Sequence, residues 1–598
     1  MLKSRIEFVN NKPFVNVNGE KLSPLAYTTY FDECGEWLDF IEKGYKMFFV
    51  NISFTDLPIN NSSGFTPFRT GVFETDTPDY SEFDEIVRGI VAKCPDALIF
   101  PRINIAMPRK WIEENPLHTV STPNGGPRES MYSELFMKDG AELLKKMVAH
   151  IRNADYADRI AGYQLCGGTT QEWMHHDLCG SYSALGIEKF KEWAFKKYGI
   201  ENIKAPEKED IETGALTPEV QKYYEFCNEV PPDTIEYFAK TLKEFINNEQ
   251  IVGVFYGYNA FVADSLWGLH GLRKIIDSPY IDFFSSPCCY DHNRDFGVDW
   301  GDMLPADSLK LHGKMYFVEC DIRTHLTRRA QDSRPNQYPD NILLMVDSNG
   351  NKTVWSGPDT LEGSISAIRK AFSHQIVKSS GIWWFDMWGG WYHDPKIMSE
   401  LQKMHRIYDD MSQKNTEGLP SAEAVLFVDE EAYTNMERGD HHRHSVSALR
   451  VAMGSSGIPF DMYLVQDAEK VLEKYKAAIF TAPVPSEKGK KAINLCENLG
   501  IPYVSADGGK VFYTTNELRE FLISSGVHCY DKENNVVYCG NGFLGVHTVN
   551  EGEVKIKLPG KFKVKPLGED DPKPFETQTI TFSAPKYSTT MFEICEYK

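Results

Sequence analysis

The sequence lacks the features of several large classes of protein. No apolar run approaches the roughly 18 residues that cross a membrane, and residues 1–21 hold no apolar core of a signal peptide. Acidic residues outnumber basic ones by 85 to 64, which gives a net charge of -21. Nucleic acids and anionic membrane surfaces both require a basic footprint. We therefore expect a cytoplasmic protein with no nucleic-acid partner and no membrane partner.

Cysteine patterns typical of disulfide scaffolds and zinc sites are also missing. The 12 cysteines are scattered singly apart from Cys288-Cys289, and no CxxC pair occurs. Without a secretion signal, free buried thiols are expected rather than disulfides. Cys166, His175, His176 and Cys179 are close in sequence, but neither their spacing nor a second cysteine pair supports zinc binding. We expect no metal and no cofactor.

The composition is that of a folded protein with more than one domain. At 598 residues the chain is too long for one core, and 42% apolar with 25% charged residues is ordinary for a globular protein. The aromatic share of 13% is high. Aromatic faces suit flat apolar surfaces such as sugar rings, although they also fill cores.

Eight short apolar segments alternate with amphipathic ones over the first 410 or so residues. Strands are predicted at 25–30, 47–53, 97–105, 160–165, 252–258, 282–287, 314–320 and 381–388. Amphipathic helices are predicted at 80–94, 140–154, 232–246 and 361–377. This alternation indicates a parallel sheet covered by helices, and eight such units predict a (β/α)8 barrel with long loops. The alternative is a doubly wound open sheet, but no G-x-G-x-x-G motif follows the first strand.

The pattern changes after the polar linker 413–423. Strands at 424–431, 459–467, 477–484 and 501–509, with helices at 443–454 and 486–499, predict a smaller flavodoxin-like α/β domain. From residue 535 onward, alternating strands separated by turn residues predict a small antiparallel β domain. The predicted domains are 1–414, 415–530 and 531–598.

Catalytic residues of a (β/α)8 barrel lie at the C-terminal ends of the strands and in the loops that follow. This rule selects residues at six of the predicted strand ends, with roles in catalysis or substrate binding. They are Arg102, Asn104, Gln171, Glu172, Trp173, Tyr258, Tyr290, Glu319, Arg323, His325, Trp384 and Trp388.

Glu319 ends the apolar run MYFV, where desolvating a carboxylate is costly unless it is paired or lies at the open barrel mouth. One interpretation is a structural carboxylate paired with Arg102 or Arg323. The presence of a second carboxylate, Glu172, favours a catalytic interpretation of Glu319 instead. Two carboxylates about 5 Å apart can flank a sugar, so that one protonates the leaving oxygen while the other attacks the anomeric carbon, with retention of configuration.

These residues resemble a known clan of enzymes. A Glu after strand 4, a Glu ending strand 7 and a Trp on strand 8 look like the retaining glycosidases built on this barrel. The three-part layout, with a glutamine-amidotransferase-like middle domain, resembles the family 42 β-galactosidases and the related family 164 β-mannosidases. The resemblance implies that Glu172 is the acid/base and Glu319 the nucleophile. The clan usually has Asn before the acid/base, where this chain has Gln171.

The resemblance also bears on partners. It implies an oligosaccharide or glycoside substrate, no cofactor, and a homo-oligomer built by the middle domain, as a trimer or alternatively a dimer. An amidotransferase activity for that domain is discarded, because residues 477–489 contain no cysteine nucleophile.

Several candidates keep two interpretations. Arg102 either binds substrate or holds Glu319 ionised. Trp384 and Trp388 are expected to point the same way, as a sugar-stacking platform or as barrel packing. The arginines after the nucleophile (Arg323, Arg328 and Arg329) either recognise a carboxylate on the substrate or form a solvated basic loop.

The sequence thus predicts a retaining exo-β-glycosidase, β-galactosidase-like or β-mannosidase-like, that acts through two glutamates. The alternatives are a β-glucuronidase-like or other β-glycosidase of the same clan, and a catalytically dead barrel that binds sugar.

Overall fold

Eight parallel strands close into a barrel in the computed structural model, which describes residues 1–61, 63–122, 125–177, 179–338, 340–507, 509–568 and 573–596. The strand β8 pairs with β1 and so closes the barrel, which confirms the predicted fold. The strands are β1 (Leu25–Thr29), β2 (Met47–Ser53), β3 (Leu98–Ile105), β4 (Gly162–Gly167), β5 (Ile251–Phe255), β6 (Phe283–Ser285), β7 (Met315–Cys320) and β8 (Gly381–Asp386).

Helices connect these strands and cover the outside of the barrel. The sequence predicts a helix only from residue 232, but the structure has one long helix, Pro218–Phe245, that runs through Pro231 and Pro232. The N-terminal half of this helix is stabilised because Val220, Tyr223 and Cys227 are buried on one face. The helices of this part of the chain are Trp37–Glu42, Ser81–Lys93, Arg109–Glu114, Glu134–Asn153, Ala184–Tyr198, Lys208–Thr213, Pro218–Phe245, Leu272–Ile275, Ala306–Leu311, Ala330–Ser333, Leu361–Lys378 and Pro395–Gln413.

Aromatic rings fill the barrel interior. Side chains alternate between the interior and the helix layer because a strand has a period of two residues. The Phe49 ring stacks on Phe100 at 4.9 Å between centroids and meets Phe317 edge-on at 5.3 Å. Trp383 of β8 lies 5.0 Å from Phe49 in the same cluster. Aromatic side chains therefore pack across the barrel interior.

A three-stranded antiparallel sheet, absent from the sequence-based prediction, covers the N-terminal end of the barrel. Its strands are Ser4–Val9, Lys12–Val17 and Glu20–Leu22. Val15 and Val17 pack into the same cluster as Met47, Leu98 and other residues at the strand starts. Any functional site of the barrel is thus left to the opposite, C-terminal end.

The predicted flavodoxin-like fold follows the barrel. Its four parallel strands are β9 (Ala424–Val428), β10 (Phe460–Leu464), β11 (Ala477–Phe480) and β12 (Tyr503–Ser505). They lie in the order β10-β9-β11-β12, so β9 is central and the chain winds in both directions from it. The helices are Ser445–Gly454, Ala468–Val471, Glu487–Leu499 and Thr515–Ser524.

A five-stranded antiparallel sheet ends the described chain, in the order β13-β14-β17-β15-β16. Its strands are β13 (Val536–Gly540), β14 (Phe543–His547), β15 (Gly552–Leu567), β16 (Phe575–Ala584) and β17 (Thr589–Cys595). β15 continues through Pro559 and Gly560, with an irregular register between Lys557 and Phe562. The barrel helix Leu361–Lys378 packs against β14. The limits of the three domains remain predictions.

The cysteines and helices bear on two of the sequence-based expectations. All twelve cysteines lie within the described segments, and each is a free thiol. Among the helices that the structure describes, none combines the length and the apolar character needed to span a bilayer.

Candidate active site

The loop after β4 passes through several left-handed residues in a short stretch. Gly168, Thr170, Gln171 and Trp173 have φ angles of 64°, 56°, 71° and 58°. Glycine adopts this region freely, but a β-branched threonine does so only under strain. Neighbouring backbone stabilises the loop, since the Thr170 amide donates to the Ile59 carbonyl at 2.7 Å. Strain of this kind concentrates at functional sites, where the surrounding structure enforces it.

The loop presents Glu172 at the C-terminal end of the barrel, where the residue is partly exposed. Burial of its carboxyl raises the pKa of Glu172 to about 7, and the Thr170 hydroxyl, which donates a hydrogen bond to the carboxylate, opposes this shift. The Tyr258 hydroxyl has no partner within hydrogen-bond geometry among the described residues. It is still near enough to lower the pKa of Glu172. A carboxyl with such a pKa can hold a proton at neutral pH and donate it as a general acid.

Glu319 points into the barrel near the end of β7 and is only 2% exposed. Burial raises its pKa, and the charges of Asp321 and Glu172 add to this shift. Arg102 lowers the pKa of Glu319, since its Nη2 lies 3.9 Å from Glu319 Oε2. In the described part of the chain, Arg102 is the cation that forms an ion pair with Glu319 and none pairs with Glu172. The pKa of Glu319 nevertheless stays well above its usual value, so Arg102 only partly offsets the effect of burial.

Arg102 lies on β3 and is surrounded by four aromatic rings. Its Cζ atom is 5.1 Å from the ring centre of Tyr30, 4.8 Å from Phe255, 5.0 Å from Trp383 and 5.6 Å from Phe385. The side chain is fully buried, and none of its nitrogens has a hydrogen-bond acceptor among the described residues. Guanidinium groups stack well on aromatic faces. Arg102 is thus a fixed positive charge beneath the carboxylates.

Several other predicted residues lie in the same region. Tyr258 interacts electrostatically with both Glu172 and Glu319, and the Tyr290 hydroxyl donates to Asp321 Oδ2 at 2.6 Å. Gln171 is buried, and neither its amide nitrogen nor its amide oxygen has a partner within the described residues. Asn104 donates to Ser53 Oγ at 3.0 Å and keeps its Oδ1 without a described partner. The Gln171 amide and the Asn104 Oδ1 atom therefore remain available for hydrogen bonds to a ligand.

Two predicted tryptophans lie outside this region. Trp173 is fully buried, donates to the Leu165 carbonyl at 3.2 Å and packs toward Phe238 on the covering helix. Trp384 faces the helix layer, where its Nε1 donates to Tyr45 Oη at 3.0 Å. Neither offers a surface to a substrate, so the structure does not support substrate binding by Trp173, and Trp384 fits the alternative interpretation of barrel packing. The inward residue of β8 is Trp383, which is in register with Glu319.

Trp388 packs among aromatic rings, whereas His325 contacts a helix that covers the barrel. Trp388 lies in an aromatic cluster after β8, with its ring 5.8 Å from Phe31, 5.5 Å from Phe65 and 5.9 Å from Trp355. It therefore does not point the same way as Trp384, because β8 ends at Asp386 and glycines 389 and 390 turn the chain. His325 turns to the helix Leu361–Lys378, where its Nδ1 lies 3.0 Å from Ser364 Oγ.

A buried polar network that no sequence pattern indicated holds the loop of Glu172. His176 Nε2 lies 3.1 Å from Glu129 Oε1, and His176 Nδ1 lies 3.4 Å from Thr169 Oγ1. Arg128 completes the network, with its Nε 3.6 Å from Glu129 Oε2. Burial opposes ionisation of Glu129, but Arg128 and His176 outweigh this effect, so the pKa of Glu129 is lowered.

A second buried cluster follows β7. Asp321 accepts hydrogen bonds from Arg294, and from Arg323 Nη1 at 2.5 Å. The Arg323 guanidinium lies over the rings of Tyr290, Trp355 and Trp391, at 5.6, 5.0 and 5.4 Å. Arg323 is thus buried rather than part of a solvated loop, whereas Arg329 is partly exposed and pairs with Asp332 at 2.8 Å. The sequence pattern pointed to Arg323 but not to Arg294, which binds the same carboxylate, Asp321.

Potential metal ligands group in two places within the described residues. One group is Glu36, Asp39 and His393, and the other is Asp440, His441 and His442. Both are at least partly exposed, and neither includes Glu172 or Glu319.

Comparison with solved structures identifies proteins of the same fold. The β-galactosidase from Rahnella sp. R3 is 12% identical with a TM-score of 0.62, over 96% of this chain and 98% of that one. The β-galactosidase from Bacillus circulans sp. alkalophilus is 11% identical with a TM-score of 0.63, over 96% and 99%. The exo-carrageenase of glycoside hydrolase family 42 from Bacteroides ovatus is 12% identical with a TM-score of 0.58, over 99% and 84%.

The sequence itself matches no protein-family model and no curated protein. At such low identity the structural likeness shows the fold alone. It confirms a barrel and additional domains arranged as in the family 42 glycoside hydrolases, which is the fold that the sequence resemblance predicts.

Proposed function

We propose that this protein is a retaining exo-β-glycosidase that removes terminal β-linked sugars, with Glu319 as nucleophile and Glu172 as acid/base. The observation that carries the proposal is the unequal environment of the two carboxyls. Glu319 has the buried cation Arg102 at 3.9 Å and Glu172 has no ion-pair partner among the described residues, although burial raises the pKa of both carboxyls. Double displacement requires one carboxylate and one carboxylic acid, and Arg102 favours the charge on Glu319.

The mechanism follows from these environments. Protonated Glu172 gives its proton to the glycosidic oxygen while the Glu319 carboxylate attacks the anomeric carbon, so the glycosidic bond breaks as a glycosyl ester forms. Glu172, now a carboxylate, takes a proton from water as that water attacks the same carbon. The ester bond to Glu319 then breaks, and the sugar leaves with its configuration retained.

The fold of the neighbours supports this class of substrate. Two of the similar structures are described as β-galactosidases and a third as an exo-carrageenase. The galactoside is accordingly the first sugar to test, followed by the mannoside and the glucuronide. A homo-oligomer, with the trimer ahead of the dimer, is proposed on the same resemblance and is testable by light scattering.

One observation favours a second candidate, a catalytically dead barrel that binds sugar. Burial and Asp321 raise the pKa of Glu319, and a protonated carboxyl cannot attack an anomeric carbon. Under this alternative the site binds glycosides without turnover at any pH between 4 and 9 or so.

The test uses p-nitrophenyl β-glycosides of galactose, mannose, glucose, fucose, arabinose and glucuronic acid. The wild type should hydrolyse at least one of them, and Glu319→Ala should lose turnover by several orders of magnitude. Added azide should then restore part of the activity to Glu319→Ala and form a glycosyl azide. Full activity of Glu319→Ala would contradict the assignment, and an inactive but sugar-binding wild type would favour the dead barrel.

A further inference from the structure

A cleft of about 660 Å³ opens beside the two-glutamate site, between three loops. It is lined by residues 292–296 after β6, by residues 322–323, 352–354, 356–360 and 362–363 after β7, and by the turn 585–588 between β16 and β17. Glu172 and Glu319 do not line it, but Ile322 and Arg323 follow Glu319 by three and four residues. The volume is that of an ordinary ligand pocket.

The buried groups beside this cleft carry one positive charge in excess. Arg294 and Arg323 are 8% and 4% exposed and share one carboxylate, Asp321, which is fully buried. Glu319 cannot compensate them, because it already pairs with Arg102. The Arg323 Nε atom is buried and has no acceptor among the described residues, although the side chain lines the cleft. A buried donor on a charged group without a partner is costly unless a ligand satisfies it.

The acidic residues that line the same cleft do not offset this charge. Asp295, Asp359 and Glu362 are exposed, so water screens their charges. Asp359 also pairs with Lys352 at 2.6 Å.

The cleft walls also have the chemistry and the strain of a sugar site. The rings of Phe296 and Tyr587 lie 5.8 Å apart and are both partly exposed, so they offer apolar faces. His292, Asn293 and Tyr587 have φ angles of 47°, 54° and 58°, and none is glycine. Strained backbone that lines a cleft marks a site whose geometry is held for binding.

We propose that this cleft binds an anionic sugar unit, one that carries a carboxylate or a sulfate ester, next to the sugar unit held at Glu319. The proposal rests on the proposed glycosidase function and names its substrate class, an acidic oligosaccharide. The anionic group binds Arg323, and the sugar ring lies against Phe296 and Tyr587. The C-terminal sheet, through the turn 585–588, is then part of the substrate-binding surface.

The test measures binding separately from catalysis. Full-length Glu319→Gln is titrated calorimetrically with three β-linked disaccharides: neutral galactobiose, its sulfate ester, and galactosyl-glucuronate. We expect at least one acidic disaccharide to bind about tenfold more tightly than galactobiose at low ionic strength, as for a charge-assisted hydrogen bond. The sulfated and carboxylated arms distinguish the two sources of the anion. Equal affinity for all three would overturn the proposal.

Matched variants localise the effect in this background. Arg323→Met should remove the preference for the acidic disaccharide, whereas Arg329→Met, at a partly exposed arginine outside the cleft, should keep it. Because Arg323 is packed among three rings, Tyr587→Gly provides a second test. Glycine adopts the left-handed backbone without strain, and loss of the ring should weaken binding of the acidic disaccharide several-fold. A preference that survives both Arg323→Met and Tyr587→Gly would overturn the proposal.

Failure of this proposal and failure of the glycosidase function give different results. A wild type that hydrolyses an aryl β-glycoside while its Glu319→Gln variant binds all three disaccharides equally overturns the acidic cleft alone. A protein that prefers the acidic disaccharide and hydrolyses none of the aryl glycosides overturns the glycosidase function alone.

Discussion

Arg102 Nη2 lies 3.9 Å from Glu319 Oε2, with both side chains almost completely buried in the barrel. The four aromatic rings around Arg102 cannot neutralise its charge, so Glu319 is its counter-ion among the described residues. An ion pair in this position favours an ionised carboxylate where burial alone would favour a protonated one. The proposed division of roles between the two glutamates depends on this contact.

Replacement of Arg102 tests that dependence. Arg102 lowers the pKa of Glu319, so Arg102→Met should raise this pKa further. Because the nucleophile acts only when deprotonated, the acidic limb of kcat/KM should move to higher pH, with a loss of at least about tenfold at pH 6. Arg102→Lys keeps the positive charge and should shift the limb less. An acidic limb that stays in place in Arg102→Met would argue against the ion pair.

The protonation state of Glu172 should determine the alkaline limb of the pH–activity profile. Its pKa is raised to about 7, so the acid form is present below this pH and is lost as the pH rises through it. Activity should fall accordingly. Glu172→Gln should lose about 10²–10⁴-fold on a poor leaving group such as methanol, much less on dinitrophenolate, and should lack the alkaline limb. Glu188→Gln, at an exposed position on the following helix, is the matched control and should match the wild type.

The Thr170 hydroxyl should lower the pH at which the alkaline limb occurs. It donates a hydrogen bond to Glu172 and lowers the pKa of that carboxyl. Thr170→Ala removes the donor, so the pKa of Glu172 should rise and the alkaline limb should move to higher pH. Thr170→Ser keeps the hydroxyl and should keep the wild-type profile. A shift of the same size in both variants would assign the effect to the backbone of the loop.

The two neighbouring tryptophans of β8 should behave in opposite ways. Trp383 faces Arg102, so Trp383→Phe should lower kcat/KM. Trp384 packs in the helix layer and donates to Tyr45, so Trp384→Phe should lower the free energy of unfolding by about 1–3 kcal/mol while folded protein keeps its kcat/KM. Paired thermal melts and kinetics on both variants separate the effects, and a kinetic defect confined to Trp384→Phe would reverse the orientation of β8.

Glu129 should stabilise the fold in a pH-dependent way. Arg128 and His176 lower the pKa of this buried carboxyl. Its stabilising effect is therefore complete above the unfolded pKa of about 4.3 and is lost as the pH falls through the lower folded pKa. Glu129→Gln should cost roughly 3–5 kcal/mol at pH 7, because it leaves Arg128 without its buried partner.

Urea denaturation at pH 7 and at pH 3.5 checks this prediction. The difference between wild type and Glu129→Gln should shrink at the lower pH. Glu142→Gln, at an exposed helical position, should cost little at either pH. A large cost for Glu142→Gln, or no cost for Glu129→Gln, would contradict the account.

The strand pattern made the barrel predictable from the sequence. Buried parallel strands are continuous apolar runs, so β2 is predicted at 47–53 and found at Met47–Ser53. The same property hides which residues face inward, because both faces of such a strand are apolar. This is why Trp384 was selected although Trp383 is the residue that faces Arg102.

Residues of the site were predictable from the sequence only where a charged residue interrupts or ends a single apolar strand. Glu319 stands out as a charge at the end of an apolar run, and Arg102 does so on β3. Contacts between distant parts of the chain leave no such sign. The pairs Glu129–His176 and Arg294–Asp321 are separated by 47 and 27 residues. The cleft lined by the turn 585–588 likewise depends on how the last sheet packs on the barrel.

Labelling of the nucleophile tests the central claim most directly. The wild type is incubated with a 2-deoxy-2-fluoro β-glycoside of the preferred sugar, which slows hydrolysis of the glycosyl ester, and the digest is analysed by peptide mass spectrometry. The account predicts a single fluoroglycosyl adduct on Glu319. An adduct on Glu172, on Asp321 or on any other carboxylate of an active preparation would contradict it.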